Sequence, residues 1–412
     1  MANVSSSNGL EKRPKLRFPG FDEPWKVFKA EELFRNVTDK NHPDETVLTI
    51  IQGKGTLPRE QAGRNIHYDD ASLSNYKKVE QGDFIIHLRS FEGGLEMANE
   101  AGIVSPAYTI LRCKRPHSSL FYDAYFHTDE FINHNLSKSV EGIRDGRQIS
   151  YEAFKWLGIP YCEPTEQEKI SNLFAALNAR IAKQRDLIEA LKKYKRGLSN
   201  SLFDRLSAES KSQLCIFGDM MTILQNNTFS RDNLSVGGNG VRNIHYGDVL
   251  IKYGAVLDLH SENVPVINAE QDISKFSALS YLRNGDVVFA DTAEDYTVGK
   301  STEIIGAENI AALSGLHTIP CRPQGSFAPM YLGYYFNSDY FKKQLYPMIQ
   351  GTKVSSISKS EIIKTKIIVP CLQEQARISS IMSALDDRID AAKHTTKDLI
   401  DLRSGLLQQL FI

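Results

Sequence analysis

The 412-residue chain has no uninterrupted apolar run long enough to span a bilayer, and its first residues, MANVSSSNGLEKR, lack the apolar core of a signal peptide. Its five cysteines are scattered, without CxxC or Cys/His ligand spacing, as is typical of reduced thiols in an intracellular protein. These absences argue against a membrane protein and against a disulfide-stabilised secreted domain. They predict a cytoplasmic protein with a disordered tail at residues 1–13.

The chain also lacks an excess of charge of either sign. It has 49 basic and 50 acidic residues, a net charge of −1 and a pI near 6.8. No overall basic field therefore indicates a nucleic-acid partner. Such a partner would have to be bound by local patches.

Catalytic motifs are missing as well. No glycine-rich loop ends in Gly-Lys-Ser/Thr, so GKGT at 53–56 is interpreted as a turn, and the Asn-Pro-Pro-aromatic motif of an amino-methylating enzyme does not occur. The one acid-x-Lys triplet, Glu209-Ser210-Lys211, is better explained as a surface pair than as a nuclease site. The sequence predicts no catalytic residue, no metal site and no cofactor bound by this chain.

Histidines and aromatics leave two interpretations open. His67 and His245 occupy equivalent repeat positions, and a structural role such as capping a turn is favoured over metal binding. Phe91, Tyr68 and Tyr246 could stack on an extruded base, but aromatics in β-prone segments usually belong to the core.

What the sequence does contain is one long heptad pattern, present twice. It runs from Glu166 to Phe203 and again, 208 residues further on and without insertion or deletion, from Glu374 to Phe411. At about 1.5 Å per residue each helix would span roughly 55–60 Å, and neither is stable alone with one apolar stripe. We predict that the two copies pack as an intramolecular antiparallel coiled coil. The apolar positions of this seam are Ile170, Phe174, Leu177, Ile181, Ile188, Leu191, Leu198, Leu202, Ile378, Met382, Leu385, Ile389, Leu399, Leu406 and Leu410.

Charged residues interrupt the seam at one heptad position in both copies, Lys195 and Arg403. A charge there either fixes the register at some loss of stability or reaches solvent near a frayed end.

A helix cap is predicted where the first long helix starts: Thr165 with Glu168 three residues later has the spacing of a capping box.

The segments before the two helices repeat one plan. RNIHY at 64–68 recurs at 242–246, GDFII at 82–86 matches GDVVF at 285–289, and AYF at 124–126 is similar to YYF at 334–336. β-prone runs bounded by turn signals, with a shorter helix, indicate mixed domains of the α+β class. The predicted organisation is a tail, a domain, a helix, a second domain and a second helix, with boundaries at 1–13, 14–163, 164–206, 207–371 and 372–412.

These motifs resemble the specificity subunit of a Type I restriction-modification system over essentially the whole chain after Arg13. The resemblance rests on the opening PKLRFPGFDEPWK, on the paired EQ-plus-heptad helices ending in KRGLSNSLF and RSGLLQQLF, and on RNIHYGDVLIKYG and GDVVFADTAEDYTVGK. It implies two target-recognition domains that each read one half of a bipartite, asymmetric DNA sequence, with the gap set by the helices. It also implies a complex with two methyltransferase subunits and two restriction/translocase subunits, which carry out adenine methylation or restriction and bind S-adenosylmethionine, ATP and Mg.

The residues support this independently, because two related but different domains suit an asymmetric target of two short elements. Bases are read by Arg on guanine and by Asn or Gln on adenine, and phosphates by basic loops. The loop before each long helix combines glycine, a basic residue and hydroxyl or amide groups. The candidate DNA-binding residues are Arg64, Asn65, Arg89, Arg144, Arg147, Gln148, Arg242, Asn243, Lys252, Lys300, Lys353 and Ser355.

Two alternatives to this interpretation stay open. One is a non-enzymatic coiled-coil scaffold whose domains bind protein or glycan, and the other is a self-sufficient nuclease, which would require that the purified chain cut DNA with a divalent metal and that Glu209→Ala abolish the cleavage. The charged outer faces of the helices are either solvated, complementary to each other, or docking surfaces for the methyltransferase subunits that the resemblance implies.

Overall fold

The structure is a computed structural model that describes residues 11–62, 70–142, 148–209, 213–238, 240–260, 264–351 and 354–411. The chain forms two compact units, one made of residues 1–185 with 394–412 and the other of residues 186–393. Ten of the thirteen residues of the predicted tail lie outside the described part, whereas Glu11 and Lys12 form a short strand.

The first half of the chain alternates short strands with short helices. Its helices are α1 Ala30–Leu33, α2 Ser90–Gly93, α3 Ser119–Phe126, α4 Tyr151–Phe154 and α5 Pro164–Ala208, with a π-helical turn at Glu130–Asn135. Its strands are β1 Glu11–Lys12, β2 Trp25–Lys29, β3 Phe34–Val37, β4 Leu48–Ile51, β5 Gly55–Pro58, β6 Lys77–Val79, β7 Phe84–Ile86, β8 Glu96–Met97, β9 Gly102–Val104, β10 Thr109–Cys113, β11 Val140–Glu141, β12 Gln148–Ile149 and β13 Gly158–Tyr161.

The first unit is built on an antiparallel sheet in the order β3-β10-β7-β8. In the register of its central strand, Ile110 lies opposite both Val37 and Ile85. Helix α3 packs on this sheet, and its Phe126 ring lies 4.9 Å from that of Phe84. A second sheet, β1-β2-β13, precedes the long helix, and β4–β5, β6–β9 and β11–β12 form two-stranded pairs.

The second half repeats the order of elements with longer insertions. Its helices are α6 Phe217–Met220, α7 Tyr246–Ile251, α8 Tyr331–Phe336, α9 Asp339–Leu345, α10 Lys359–Ile362 and α11 Leu372–Phe411. Its strands are β14 Gln213–Ile216, β15 Met221–Ile223, β16 Leu234–Ser235, β17 Arg242–Ile244, β18 Val256–Asp258, β19 Val266–Ile267, β20 Val287–Ala290, β21 Thr292–Ala293, β22 Ser301–Ile305, β23 Ala312–Ser314, β24 Thr318–Pro323, β25 Ser355–Ser356 and β26 Lys366–Val369.

The second unit contains a five-stranded sheet in the order β15-β24-β20-β22-β18, antiparallel except for the parallel pair β18–β22. A second sheet, β16-β19-β17-β23, has a separate apolar core around Phe229, Phe276 and Leu313. Helices α8 and α9 cover the larger sheet, where the Phe336 ring lies 5.0 Å from that of Phe289. The pairs β14–β26 and β21–β25 complete the unit.

The long helices pair antiparallel within each unit. In the first unit the start of α5 meets the end of α11, with the rings of Phe174 and Phe411 stacked 6.2 Å apart. In the second unit the later part of α5 meets the earlier part of α11, and Ile188 packs with Ile389. The predicted α+β class with an intramolecular antiparallel coiled coil is confirmed. Every seam side chain named above is buried or half-buried.

The two seam interruptions have different surroundings. The Lys195 ammonium lies 2.5 Å from an Asp386 carboxylate oxygen on the opposite helix and 5.0 Å from the Tyr334 ring centroid, which supports a register-fixing role. For Arg403 the equivalent of Asp386 is Asn178, a neutral amide. The capping-box prediction is wrong, because α5 begins at Pro164 and Thr165 already lies inside its first turn.

Candidate nucleic-acid interface

Each of the two repeated Gly-Asp motifs ends in a buried carboxylate held by one arginine. Asp83 accepts hydrogen bonds from Arg112 Nε and Nη2 at 2.8 and 2.7 Å, and Asp286 accepts them from Arg322 at 2.9 and 2.7 Å. Each aspartate also accepts a hydrogen bond of 2.8 Å from a backbone N–H three residues before it. Since both aspartates are at most 3% exposed, these motifs fix the sheets and are not DNA contacts.

The glutamine of each EQ pair attaches a long helix to its own unit. Gln167 donates to Cys162 O and Gln375 to Pro370 O, both at 2.8 Å. The same glutamines accept the backbone N–H of Ser118 at 3.0 Å and of Ala328 at 2.9 Å. We call the two Asp–Arg pairs and these two glutamines the anchors. Sequence reasoning noticed the GD and EQ repeats without finding their partners, although arginine recurs in the matching strands TILRC and TIPCRP.

Several loops of the second unit meet at one surface. Asn226 Nδ2 donates to Gly315 O at 3.3 Å, and Lys359 Nζ donates to Asn226 Oδ1 at 3.2 Å. The Tyr246 ring lies 5.3 Å from the ring of His317, an exposed side chain. We call this the loop surface; it consists of residues 225–231, 245–253, 291–300, 315–317 and 354–359.

Hydrogen bonds between strands bring the remaining segments to the loop surface. Strand β21 pairs with β25, with Thr292 opposite Ser356, and Asp291 O accepts the N–H of Ile357 at 2.9 Å. The Asp291 carboxylate lies 3.4 Å from His317 Nδ1. The loops that carry the motifs RNIHYGDVL and DTAEDYTVGK are therefore adjacent to the loop before α11, which sequence reasoning had singled out.

Two large apolar side chains stand out from this surface. Ile251 is 84% exposed and Tyr296 is 80% exposed. The Lys300 ammonium donates to Leu250 O at 2.9 Å and so joins the segments that carry them. Single exposed apolar residues are ordinary on proteins, but at a DNA interface such groups contact thymine methyls or base faces.

The candidate residues of the second domain differ in their surroundings. Lys252 is exposed and Ser355 half-buried on the loop surface, whereas Lys353 lies outside the described residues. Arg242 is half-buried in β17. Lys300 points inward to Leu250 O, and burial lowers the pKa of its ammonium, so it supports the surface from inside.

Asn243 requires a correction. Its side chain is 0% exposed, and its Oδ1 accepts a hydrogen bond of 2.6 Å from Asn227 Nδ2. A base edge cannot reach a side chain enclosed in this way. The sequence pattern could not show this, because Arg242, next to it in the same strand, keeps a partly exposed side chain.

In the first domain, Arg64, Asn65, Arg144 and Arg147 lie outside the described residues. Arg89 is exposed in the turn before α2, next to Leu88, which is 63% exposed. Gln148 is exposed in the short strand β12, opposite Glu141.

The capping role predicted for His245 is confirmed, since its Nδ1 accepts the N–H of Gly247 at 3.2 Å at the start of α7. Tyr246 is half-buried against the core, and Phe91 packs on the core of the first unit.

GKGT forms the turn between β4 and β5, where the Glu96 carboxylate accepts the N–H groups of Gly53 and Gly55. His67, Tyr68, Ser210 and Lys211 lie outside the described residues.

Over the described ranges, His, Cys, Asp and Glu side chains form no group of three or more that could hold a metal ion. In the same part of the chain, no helix combines the length and the apolar character needed to cross a membrane.

Comparison with protein families gives a match to the Type I restriction modification DNA specificity domain over residues 218–401. A search of curated proteins gives no match.

Several solved structures are similar over nearly the whole chain. The S subunit of a Type-I restriction-modification system from M. genitalium has 15% identity and a TM-score of 0.53, covering 97% of this chain and 99% of that chain. A chain from work on complex assembly and conformational transition of the type I R-M system has 17% identity and a TM-score of 0.55, with the same coverage. The HsdS subunit from Thermoanaerobacter tengcongensis has 18% identity and a TM-score of 0.48, covering 97% of this chain and 98% of that one. The two structures with TM-scores above 0.5 share the fold of this chain.

Proposed function

We propose that this chain, whose residues 218–401 match the Type I restriction modification DNA specificity domain, reads the two halves of one bipartite DNA sequence with its two domains, residues 14–163 and 207–371. The chain is a DNA-specificity subunit, and no comparison supports a protein- or glycan-binding scaffold.

The proposal rests on one observation: the two units share the same anchors, whereas the surfaces between the anchors differ. Both units hold their sheets with the same Asp–Arg pair and their long helix with the same glutamine. The segments between these anchors differ: the second unit contains the sheet β16-β19-β17-β23, for which the described residues of the first unit, which leave out 63–69, show no counterpart. Two units with the same anchors and different surfaces suit a DNA target whose two halves differ in sequence.

DNA and other restriction-modification subunits are the partners of a specificity subunit. In our proposal, two methyltransferase subunits and, for restriction, two restriction/translocase subunits assemble with this chain in the cytoplasm. Those subunits bind S-adenosylmethionine, ATP and Mg and carry out adenine methylation and cleavage. This chain supplies sequence recognition and no catalytic group.

A domain exchange tests this division of labour. Residues 14–163 are replaced by the corresponding domain of another specificity subunit, and methylated adenines are mapped genome-wide in a host that expresses the complex. We expect one half of the recognised sequence to change and the other half to persist. The proposal fails if both halves change, or if methylation is independent of this chain.

The spacer role of the long helices is tested separately. Seven residues, two helical turns, are inserted at matched positions of α5 and α11 so that the heptad register is preserved. We expect the unspecified gap to change in length while both half-sites persist. An unchanged gap would show that the helices do not set it.

A further inference from the structure

Asp248 is a buried carboxylate shared by two cations from separate segments. One carboxylate oxygen accepts a hydrogen bond of 2.7 Å from Arg231 Nη1, and the other lies 2.9 Å from Lys252 Nζ. Arg231 belongs to the 3-10 turn Arg231–Asn233, whereas Lys252 directly follows α7. One aspartate therefore fixes the separation of two cations 21 positions apart in the chain.

The exposures show which charges face outward. The Asp248 side chain is 1% exposed, whereas the side chains of Arg231 and Lys252 are 48% and 58% exposed. The carboxylate is enclosed and the two cations reach solvent, so the charge that this three-residue cluster presents to solvent is positive. Such local patches are what DNA binding needs in a chain with a net charge of −1.

The surroundings keep the Asp248 carboxylate ionised. Burial alone would raise the pKa of Asp248, but hydrogen bonds from Arg231 and Lys252 lower it below its ordinary value. His245 lies against the arginine, with Nδ1 3.4 Å from Arg231 Nη2, and burial followed by the arginine charge lowers the pKa of the imidazole. A neutral imidazole adds no competing charge.

We propose that Arg231 and Lys252 are a phosphate-contacting pair for the DNA backbone and that Asp248 is its positioning residue. This inference rests on the proposed function of the loop surface. A guanidinium has five N–H donors and an ammonium three, so each cation retains donors after bonding to Asp248. Phosphate contacts fix how a protein lies on the duplex while other groups read the bases, here the neighbouring side chains around Tyr246 and His317.

Positioning and simple electrostatics predict opposite results for one substitution. Asp248→Asn removes a negative charge from the DNA-facing side, and bulk electrostatics alone would tighten DNA binding. If Asp248 positions the pair, the same change releases two flexible side chains, and binding weakens because their ordering must then accompany binding.

The experiment measures DNA binding by the full chain assembled with its methyltransferase subunits over a series of salt concentrations. The probes are a duplex carrying the sequence found by methylation mapping and a scrambled duplex of equal length. We expect Arg231→Gln and Lys252→Gln each to reduce the slope of log affinity against log salt by about 0.9, which is about five-fold in affinity near 0.15 M salt, on both duplexes. Asp248→Asn should weaken binding to both duplexes several-fold.

Lys364→Gln is the matched control, because Lys364 is an exposed lysine of the same unit that also pairs with a carboxylate, Glu361 at 2.7 Å. It removes one positive charge and should leave the salt slope unchanged. The inference is overturned if both glutamine variants leave the slope unchanged, or if folded Asp248→Asn binds more tightly. If thermal unfolding shows that Asp248→Asn does not fold, Arg231→Gln and Lys252→Gln still test the phosphate contacts. Asp248→Glu, which keeps the carboxylate, then tests the positioning role through its slope of log affinity against log salt. Loss of preference for the mapped sequence in the wild-type complex would instead refute the proposed function.

Discussion

The two units of this chain are stabilised by equivalent hydrogen bonds between the same types of residue. In each, a buried aspartate directly before one strand receives two hydrogen bonds from an arginine in the strand that pairs with it. In each, a tyrosine hydroxyl bonds to the last strand before the long helix, Tyr122 to Pro160 O and Tyr331 to Ile368 O. These contacts are identical because each depends on a few backbone positions that both units share.

Elsewhere the units differ even where the residue type is repeated. Glu166 accepts hydrogen bonds from Arg17 at 2.9 and 2.8 Å and from the Trp25 indole at 2.9 Å. Its counterpart Glu374 is bonded by Arg377 of its own helix and by Arg205. A repeated side chain therefore keeps its role only where its partners are repeated as well.

Two buried glutamates show the difference most clearly. Glu96 in β8 is paired with His127, with a Nε2–Oε1 distance of 3.3 Å. Glu303 in β22 has no cationic partner among the contacts described and is bonded by the backbone N–H groups of Met330 and Gly333. The two units should consequently respond differently to pH.

The largest expected effect comes from removing the phenylalanine near the end of each long helix. Phe203 lies 5.2 Å from the Tyr335 ring and Phe411 5.2 Å from the Phe121 ring, and both are 0% exposed. Phe203→Ala and Phe411→Ala should each destabilise their unit by about 3–5 kcal/mol, because each leaves a cavity. Hydrogen exchange measured by mass spectrometry should show faster exchange in the second unit for Phe203→Ala and in the first unit for Phe411→Ala.

Tyr194→Ala, at a position that is 60% exposed on α5, is the control and should change stability by less than about 0.5 kcal/mol. Faster exchange in the wrong unit would refute the assignment of the two phenylalanines to equivalent positions.

The next largest effect is a pH dependence that differs between the two units. Burial raises the pKa of Glu303 from 4.5 to about 7. Its folded state binds the proton more tightly than the unfolded state, so its contribution to stability is complete below 4.5 and is lost as the pH rises to about 7. Glu303→Gln should remove this loss, on the order of 3 kcal/mol, from the pH profile of unfolding followed in the second unit.

In the first unit, burial opposes ionisation of Glu96, yet the hydrogen bond from His127 leaves the pKa of this carboxyl lowered. For His127, burial is outweighed by Glu96 and Asp123, and its pKa is raised. Their stabilisation should therefore be greatest between the ordinary values of 4.5 and 6.5, falling on the acid side through Glu96 and on the basic side through His127. Matching pH profiles in the two units would contradict this contrast.

Breaking the repeated Asp–Arg pair should have a slightly smaller and nearly equal effect in both units. Asp286→Ala leaves Arg322 with backbone acceptors alone, and Asp83→Ala leaves Arg112 with the exposed carboxylate of Glu80, so each variant should cost about 2–3 kcal/mol. Urea unfolding with unit-resolved hydrogen exchange measures both. The double variant Asp286→Ala/Arg322→Met should recover part of the loss; no recovery would mean that the aspartate acts mainly through the N–H of Arg283.

The smallest expected effect is at the serine caps before β13 and β26. Ser150 accepts the N–H of Ala153 at 3.1 Å, and Ser358 accepts that of Glu361 at 3.3 Å. Ser→Ala at either position should reduce stability by about 1 kcal/mol, whereas Ser→Gly should cost only a few tenths. A thermal shift as large as that of the Phe411→Ala variant would show that these serines do more than cap.

The sequence predicted the long helices well because the heptad spacing is a property of the helix itself. It predicted the candidate interface less well. Lys252 and Ser355 lie on the loop surface, whereas Asn243, next to the half-buried Arg242 in the same RNIHY motif, is buried against Asn227 and Gly315. Arg231 and Asp248 were not singled out, since nothing in their spacing shows that a buried carboxylate joins them.

The sequence by itself determined the duplicated plan and the seam and carried the resemblance to a family, because periodicity and repeated motifs can be recognised along the chain without knowing which distant segments are in contact. The tertiary structure alone decided which polar side chains face solvent and which carboxylates are shared, paired or solitary. Those outcomes depend on segments distant in the chain, such as the turn at Arg231 and the helix bearing Asp248, whose proximity no local pattern encodes.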